Sequence, residues 1–222
     1  MTLKWIVSGF FVDKNFHFMR LFLLFISLCL LACQPKVNTE TVVGIQPYQG
    51  FPTDKTDTIA KVIADFYQVK TIVLPVQPLP ESAFTNFKAP RYRADSLIRI
   101  QNRQLDASMD YILGLTHRDV CITKYESKGV VKKPAHKYTD FGIMGLAFCP
   151  GESSVVSSFR LQHKNQAVHF SRFKKVAVHE FGHNLGLPHC PNKKCVMTDA
   201  VESVSTIDRA NMALCAQCQS KI

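Results

Sequence analysis

Residues 179–189 read His-Glu-Phe-Gly-His-Asn-Leu-Gly-Leu-Pro-His, and few stretches of this length restrict local structure so tightly. On a helix, residues four apart lie one above the other, so His179 and His183 present their imidazoles on one face. Glu180, one position on, points towards the same side without stacking on the histidines. Gly186 stands where such a helix must stop, because glycine accepts the left-handed backbone that turns the chain back. The turn brings His189 to the same point from outside the helix. Three imidazoles can reach a zinc ion at roughly 2.0–2.1 Å and leave a fourth position open, the arrangement of a catalytic rather than a structural site. The run fits H-E-x-x-H-x-x-G-x-x-H, in which the glutamate is the general base and not a ligand. A bare HExxH arises by chance on solvated helices; the added glycine and histidine at fixed offsets make that reading a poor one.

The cysteines that follow extend the pattern. Cys190 adjoins His189, Cys195-Val196-Met197 comes next, and Cys215-Ala216-Gln217-Cys218 lies near the end of the sequence. Four thiolates at tetrahedral reach make a closed zinc site with no position for water, hence a structural one. The alternative is two disulfides, which an oxidising compartment favours and whose three possible pairings sequence cannot separate. The C-x-x-C spacing with a second close pair favours zinc.

Taken together, H-C-x4-C-x-M followed by seventeen residues and C-x-x-C resembles the archaemetzincins, a branch of the metzincin metallopeptidases. Ile112-Leu113-Gly114-Leu115-Thr116 with Asp119, Gly142 to Ala147, and Val155 to Leu161 look like core segments of that family, so the similarity runs from about Lys70 to Cys218. The resemblance implies that His179, His183 and His189 hold a catalytic zinc with Glu180 as base. It implies a second, structural zinc on Cys190, Cys195, Cys215 and Cys218, and it makes Met197 the methionine of the turn beneath the metal. It further implies an α/β (α+β) fold: a twisted mixed sheet with helices and the zinc helix, then a small irregular C-terminal subdomain after Gly186 with the second zinc. The expected substrate is a peptide or protein.

A second signal lies at the other end. Leu21 to Ala32 is an apolar run of twelve residues, preceded by Met19-Arg20 and closed by Cys33. A basic start and so short an apolar run read as a secretory signal rather than a membrane span. Leu30-Leu31-Ala32-Cys33 resembles the lipobox of bacterial lipoproteins, which implies acylation of Cys33 and an extracytoplasmic, membrane-tethered envelope protein. Asp13, Lys14 and Asn15 interrupt the preceding segment, so Met19 is the expected initiator. The expected organisation is a signal region over 1–32, a lipidated N-terminus and linker over 33–51, and a metallopeptidase domain over 52–222.

Without residues 1–32 the chain has 190 residues and a net charge of +8, enough for one domain with a core. Its lysines and arginines are scattered, and no motif supports nucleic-acid binding; a monomer is expected. Thr58–Gln68 reads as a helix, Lys70–Val76 as a buried strand, and Ala94–Leu105 as a helix. Tyr111–Leu115, Gly142–Phe148 and Val155–Leu161 read as further strands. Lys174–Asn184 is the site helix, and Ile207–Cys215 a last helix with Thr206 or Asp208 near its cap. Strands interleaved with helices indicate a mixed sheet covered by helices.

Other residues offer less. His117, His136, His163 and His169 read as surface or satisfied histidines, and no spacing selects Tyr125 or Tyr138 as an oxyanion donor. Cys121 and Cys149 form either a third bridge or free thiols. Two rival functions are a non-catalytic zinc-binding envelope lipoprotein and a metal scavenger. The first has no use for Glu180, and the second lacks the His-rich tract it needs.

Overall fold

The computed structural model describes residues 37–126, 129–199 and 203–222. The signal region, Cys33 and the start of the linker fall outside the described residues. The elements follow in chain order: β1 (Val42–Pro47), α1 (Thr53–Tyr67), β2 (Lys70–Val73), β3 (Phe84–Thr85), β4 (Arg91–Arg93), α2 (Ala94–Gln104), β5 (Tyr111–Thr116) and β6 (Val120–Ile122). Then come α3 (Ala135–Tyr138), β7 (Phe141–Ile143), β8 (Gly145–Ala147), β9 (Ser153–Ser157), α4 (Gln166–Asn184), α5 (Val204–Arg209) and α6 (Ala216–Gln219).

Five strands form the main sheet in the order β2-β1-β5-β9-β8. The first four run parallel, and β8 pairs antiparallel to β9 at the edge. Strands β1 and β5 are buried along almost their whole length, as parallel strands covered on both faces must be. On one face Val43, Ile45, Leu113, Leu115 and Val156 meet Ile59 and Ile63 of α1 and Phe173, Ala177 and Phe181 of α4. On the other, Val155 and Tyr48 meet Leu97 and Ile98 of α2. Gln101 of α2 is buried, accepts from the Tyr48 hydroxyl at 3.0 Å and donates to Ser153 Oγ at 2.9 Å, so its burial is compensated. A small sheet, β3-β4-β6-β7, packs above.

Several expectations require correction. Val42–Pro47 lies in the stretch read as a linker, yet it forms β1 inside the main sheet, between β2 and β5; its partners are remote in sequence, and its short apolar run gave no periodic signal. The strand at Lys70 ends at Val73 and is not buried: Ile72 and Val73 are exposed because β2 is the sheet edge. Gly142–Phe148 divides at Met144 into β7 and β8, which belong to different sheets. Past Ser157 the chain makes a 3-10 turn over Phe159–Leu161 in place of continued strand. Of the helix expected over Ile207–Cys215 only Ile207–Arg209 is helical, as the end of α5, while 210–215 is irregular and α6 begins beyond it. Ser203, not Thr206 or Asp208, caps α5 by accepting from Ser205 N–H. Among the described residues no helix is long and apolar enough to cross a membrane.

Candidate functional site

Helix α4 begins at Gln166, earlier than expected, because the Asn165 side chain accepts from the Ala167 N–H at 2.8 Å and caps it. Its apolar stripe, with Phe173, Val176, Ala177 and Phe181 buried, fixes the helix against the sheet. The adjoining side of the last turns, which shares Val176 with that stripe, faces a cavity of about 530 Å³ lined by His179, Glu180, His183 and His189. The helix stops as expected at Gly186, whose φ is 83°. Gly186 N–H donates to His183 O at 2.8 Å and Leu187 N–H to Gly182 O at 3.0 Å, the paired bonds of a Schellman termination. This reversal carries His189 back to the helix.

The three imidazoles converge, with ring centroids 4.6, 4.8 and 5.3 Å apart. His179 Nδ1 lies 2.9 Å from Val196 O, and His183 Nδ1 lies 2.6 Å from Leu187 O. A carbonyl only accepts, so both Nδ1 atoms carry the proton and both Nε2 atoms present lone pairs. Those Nε2 atoms are 3.0 Å apart. Two facing lone pairs at that distance repel unless a shared cation lies beside them, and two ligands on a tetrahedral zinc stand about 3.3 Å apart. The donor set fits zinc. Burial, then the neighbouring His183 ring, push the His179 pKa down to about 3, so the ring is neutral and able to ligate. His189 is exposed, with Asp199 3.8 Å from its Nδ1.

Glu180 is buried and faces the same cavity, and burial raises its pKa to about 8. Its carboxyl group lies on the backbone of Gly145 at the start of β8. A Cβ there would stand 2.6 Å from Glu180 Cγ and 2.7 Å from Oε1, so only glycine leaves room.

The four cysteines also gather. The sulfurs of Cys190, Cys195, Cys215 and Cys218 lie within 4.8 Å of one another, and those of Cys190 and Cys215 are 3.7 Å apart. That spacing is far beyond a disulfide at about 2.0 Å and close to the roughly 3.8 Å between thiolates on tetrahedral zinc. All four are free, so the disulfide alternative to zinc does not hold, and Cys121 and Cys149 are free thiols rather than a third bridge, one buried and one exposed. The Cys218 N–H lowers the Cys215 pKa to about 7 by hydrogen bonding to its sulfur, which favours a thiolate ligand.

The two clusters share one strip of backbone. Cys190 N–H donates to Met197 O at 2.8 Å, and Val196, between Cys195 and Met197, supplies the carbonyl that orients His179. Met197 is fully buried, and a Cβ at Gly182 would stand 2.5 Å from its Sδ. The lower wall is held by Arg172 of α4, which donates to both Asp208 carboxylate oxygens at 2.8 and 2.7 Å. That contact lowers the Asp208 pKa and places Ile207 in the cavity lining.

The remaining candidates stay outside. His169 Nε2 meets Ser158 O, His163 Nδ1 accepts from Asn165 N–H, and His117 packs on Gly50. Tyr125 and Tyr138 do not line the cavity. The carbonyls of Leu187 and Val196, and Gly145, escaped the sequence reading. A backbone acceptor has no residue signature, and Gly145 is one of ten glycines.

Comparison with known proteins agrees with this geometry. Residues 88–222 match the Peptidase family M54 profile. A relative described as archaemetzincin from Haloquadratum walsbyi is 29% identical over 186 residues, covering 80% of this chain and 96% of the relative. The crystal structure of archaemetzincin from Archaeoglobus fulgidus, complexed with malonate, superposes with a TM-score of 0.64 at 27% identity over 82% of this chain and all of that one. That of Methanopyrus kandleri gives 0.64 at 27% identity, over 81% and 92%.

Proposed function

The chain belongs to peptidase family M54, the archaemetzincins, and from that premise of a zinc metallopeptidase with two zinc sites we propose how its residues divide the work. His179, His183 and His189 hold the catalytic zinc, and Cys190, Cys195, Cys215 and Cys218 the structural one. When bound at the histidines, zinc supplies Lewis-acid polarisation and acidifies water. Glu180 is the proton carrier. Its carboxylate takes a proton from the attacking water and returns it to the departing amine, and burial in the same cavity raises its affinity for that proton. Val196 O and Leu187 O orient His179 and His183 by accepting from Nδ1. Met197 fills the floor, and Gly186 permits the reversal that delivers His189.

The observation that carries this reading is the pair of carbonyl-locked imidazoles with Nε2 atoms 3.0 Å apart beside a buried carboxylate. Glu180→Gln should retain two zinc ions per chain by metal analysis and lose peptide hydrolysis by about 10²–10⁴-fold, the usual worth of a general base. Full hydrolysis in that variant would sink the assignment.

We also propose that the protein is a lipoprotein of the bacterial cell envelope, tethered through Cys33. The support is the basic Met19-Arg20 start, the apolar run Leu21–Ala32 and the terminal Ala32-Cys33 pair. Cys33→Ser should move the protein from the membrane to the soluble fraction; unchanged membrane association would refute the tether.

A further inference from the structure

A second cavity, of about 620 Å³, adjoins the first through Met144, which lines both. Its character is different. Lys88, Arg91, Lys137 and Arg160 line it, with Asp140 the acidic residue among the described lining. Arg91 and Arg160 grip the buried Asp119 from two sides, through Arg91 Nε at 2.7 Å and Arg160 Nε and Nη2 at 2.7 and 2.8 Å. Arg91 Nη1 also lies 3.1 Å from Asp140 Oδ2. Two arginines thus balance two aspartates, and Lys88 and Lys137 leave the cluster a surplus of two positive charges. Arg91 Nη2 and Arg160 Nη1 have no protein hydrogen-bond partner among the described residues. The ion pairs hold these guanidinium groups rigid, and a rigid fork with spare N–H donors suits a carboxylate.

Position adds to this. Among the described residues strand β8 pairs with β9 alone, which leaves its other edge without a strand partner there, and Gly145, Leu146 and Ala147 line the cleft beside Glu180. A peptide extended along such an edge uses its main-chain hydrogen bonds. Followed past the beginning of β8, it passes Met144 and arrives at the basic cavity.

We propose that this cavity is a carboxylate subsite of the peptidase: it receives an acidic side chain, or the free C-terminal carboxylate, of a peptide whose scissile bond lies at the histidines. The proposal rests on the peptidase reading above. The full chain carrying Glu180→Gln, loaded with zinc, is titrated by fluorescence anisotropy with three labelled peptides of one sequence. One is neutral with a C-terminal amide, one has a glutamate in place of a glutamine, and one has a free C-terminus. At least one acid-bearing peptide should bind about tenfold tighter than the neutral one, the worth of a hydrogen bond to a charged group. Whichever arm shows the gain identifies the source of the carboxylate. Lys88→Ala with Lys137→Ala should bring the ratio close to one, and Lys88→Glu with Lys137→Glu should invert it, with melting temperatures confirming that both remain folded. Equal affinities for all three peptides, or a preference that survives charge reversal, overturns the subsite and leaves the peptidase reading in place. Failure of every peptide to bind, together with no cleavage by the unsubstituted chain, overturns both.

Discussion

Gly145→Ala tests whether the carboxyl group of Glu180 must stand where it does. The new Cβ would lie 2.6 Å from Glu180 Cγ, 2.7 Å from Oε1 and 2.9 Å from Cδ. Carbon atoms rest at about 3.5–4.0 Å, so the glutamate must retreat by roughly 1 Å. The backbone is not the obstacle, since Gly145 is not among the positive-φ glycines and alanine adopts its conformation without strain. A reacting group misplaced by about 1 Å costs on the order of 10²-fold, or ~2.7 kcal/mol of transition-state stabilisation. The assay is kcat/KM on a quenched fluorescent peptide, with zinc content and melting temperature measured on the same preparation. The expected variant is folded, carries two zinc ions and is about a hundredfold slower. Activity within threefold of the parent, with zinc intact, would show that the placement of Glu180 on Gly145 has no catalytic consequence.

Three further outcomes follow from the same contacts. Cys215→Ser with Cys218→Ser should reduce the metal count from two to one and slow hydrolysis, because Cys195-Val196 would lose the anchor that orients His179; two zinc ions in that variant would contradict the cluster. Arg172→Met removes both bonds to Asp208, whose side chain is 39% exposed, so the loss should be about 2 kcal/mol rather than the ~3–5 of a fully buried pair. Because the Asp208 pKa is lowered in the fold, that contribution is present above the ordinary carboxylate range and disappears as pH falls through it; urea midpoints of parent and variant should therefore converge towards acid pH. For Glu180 the sign is reversed. Its pKa rises from 4.5 to about 8 on folding, so its contribution is present below about pH 4.5 and lost by about pH 8. His179 and His183, with lowered pKa values, titrate the opposite way. In chelated protein the urea midpoint of the parent, measured against that of Glu180→Gln, should therefore fall over that window.

The site was more legible than the fold. His179, Glu180, His183, Gly186 and His189 are eleven residues from end to end, and helical geometry with one glycine reversal sets their relation locally. The cysteine set could be read only to the point of choosing between zinc and disulfides. The 3.7 Å separation of the Cys190 and Cys215 sulfurs decides it, because whether sulfurs meet in pairs or as a tetrahedron depends on how Cys215–Cys218 packs on Cys190–Cys195. Strand β1 was misread for a related reason: Val42–Pro47 is a strand because Lys70–Val73 and Tyr111–Leu115 flank it, and pairing across such separations leaves little trace in local periodicity.

By itself the sequence determined the metal-binding residues, the helix that carries two of them and the glycine that ends it, since all of these are consequences of spacing within one or two turns. Tertiary structure alone decided what makes them an active site. It placed Val196 O and Leu187 O on the Nδ1 atoms, Gly145 under the Glu180 carboxyl group, and the outer edge of β8 between the cleft and a basic cavity. The contacts of Val196 and Gly145 join residues 17 and 35 apart and that of Leu187 residues only four apart. All run through backbone atoms, which every residue carries alike, and so only the packed chain reveals them.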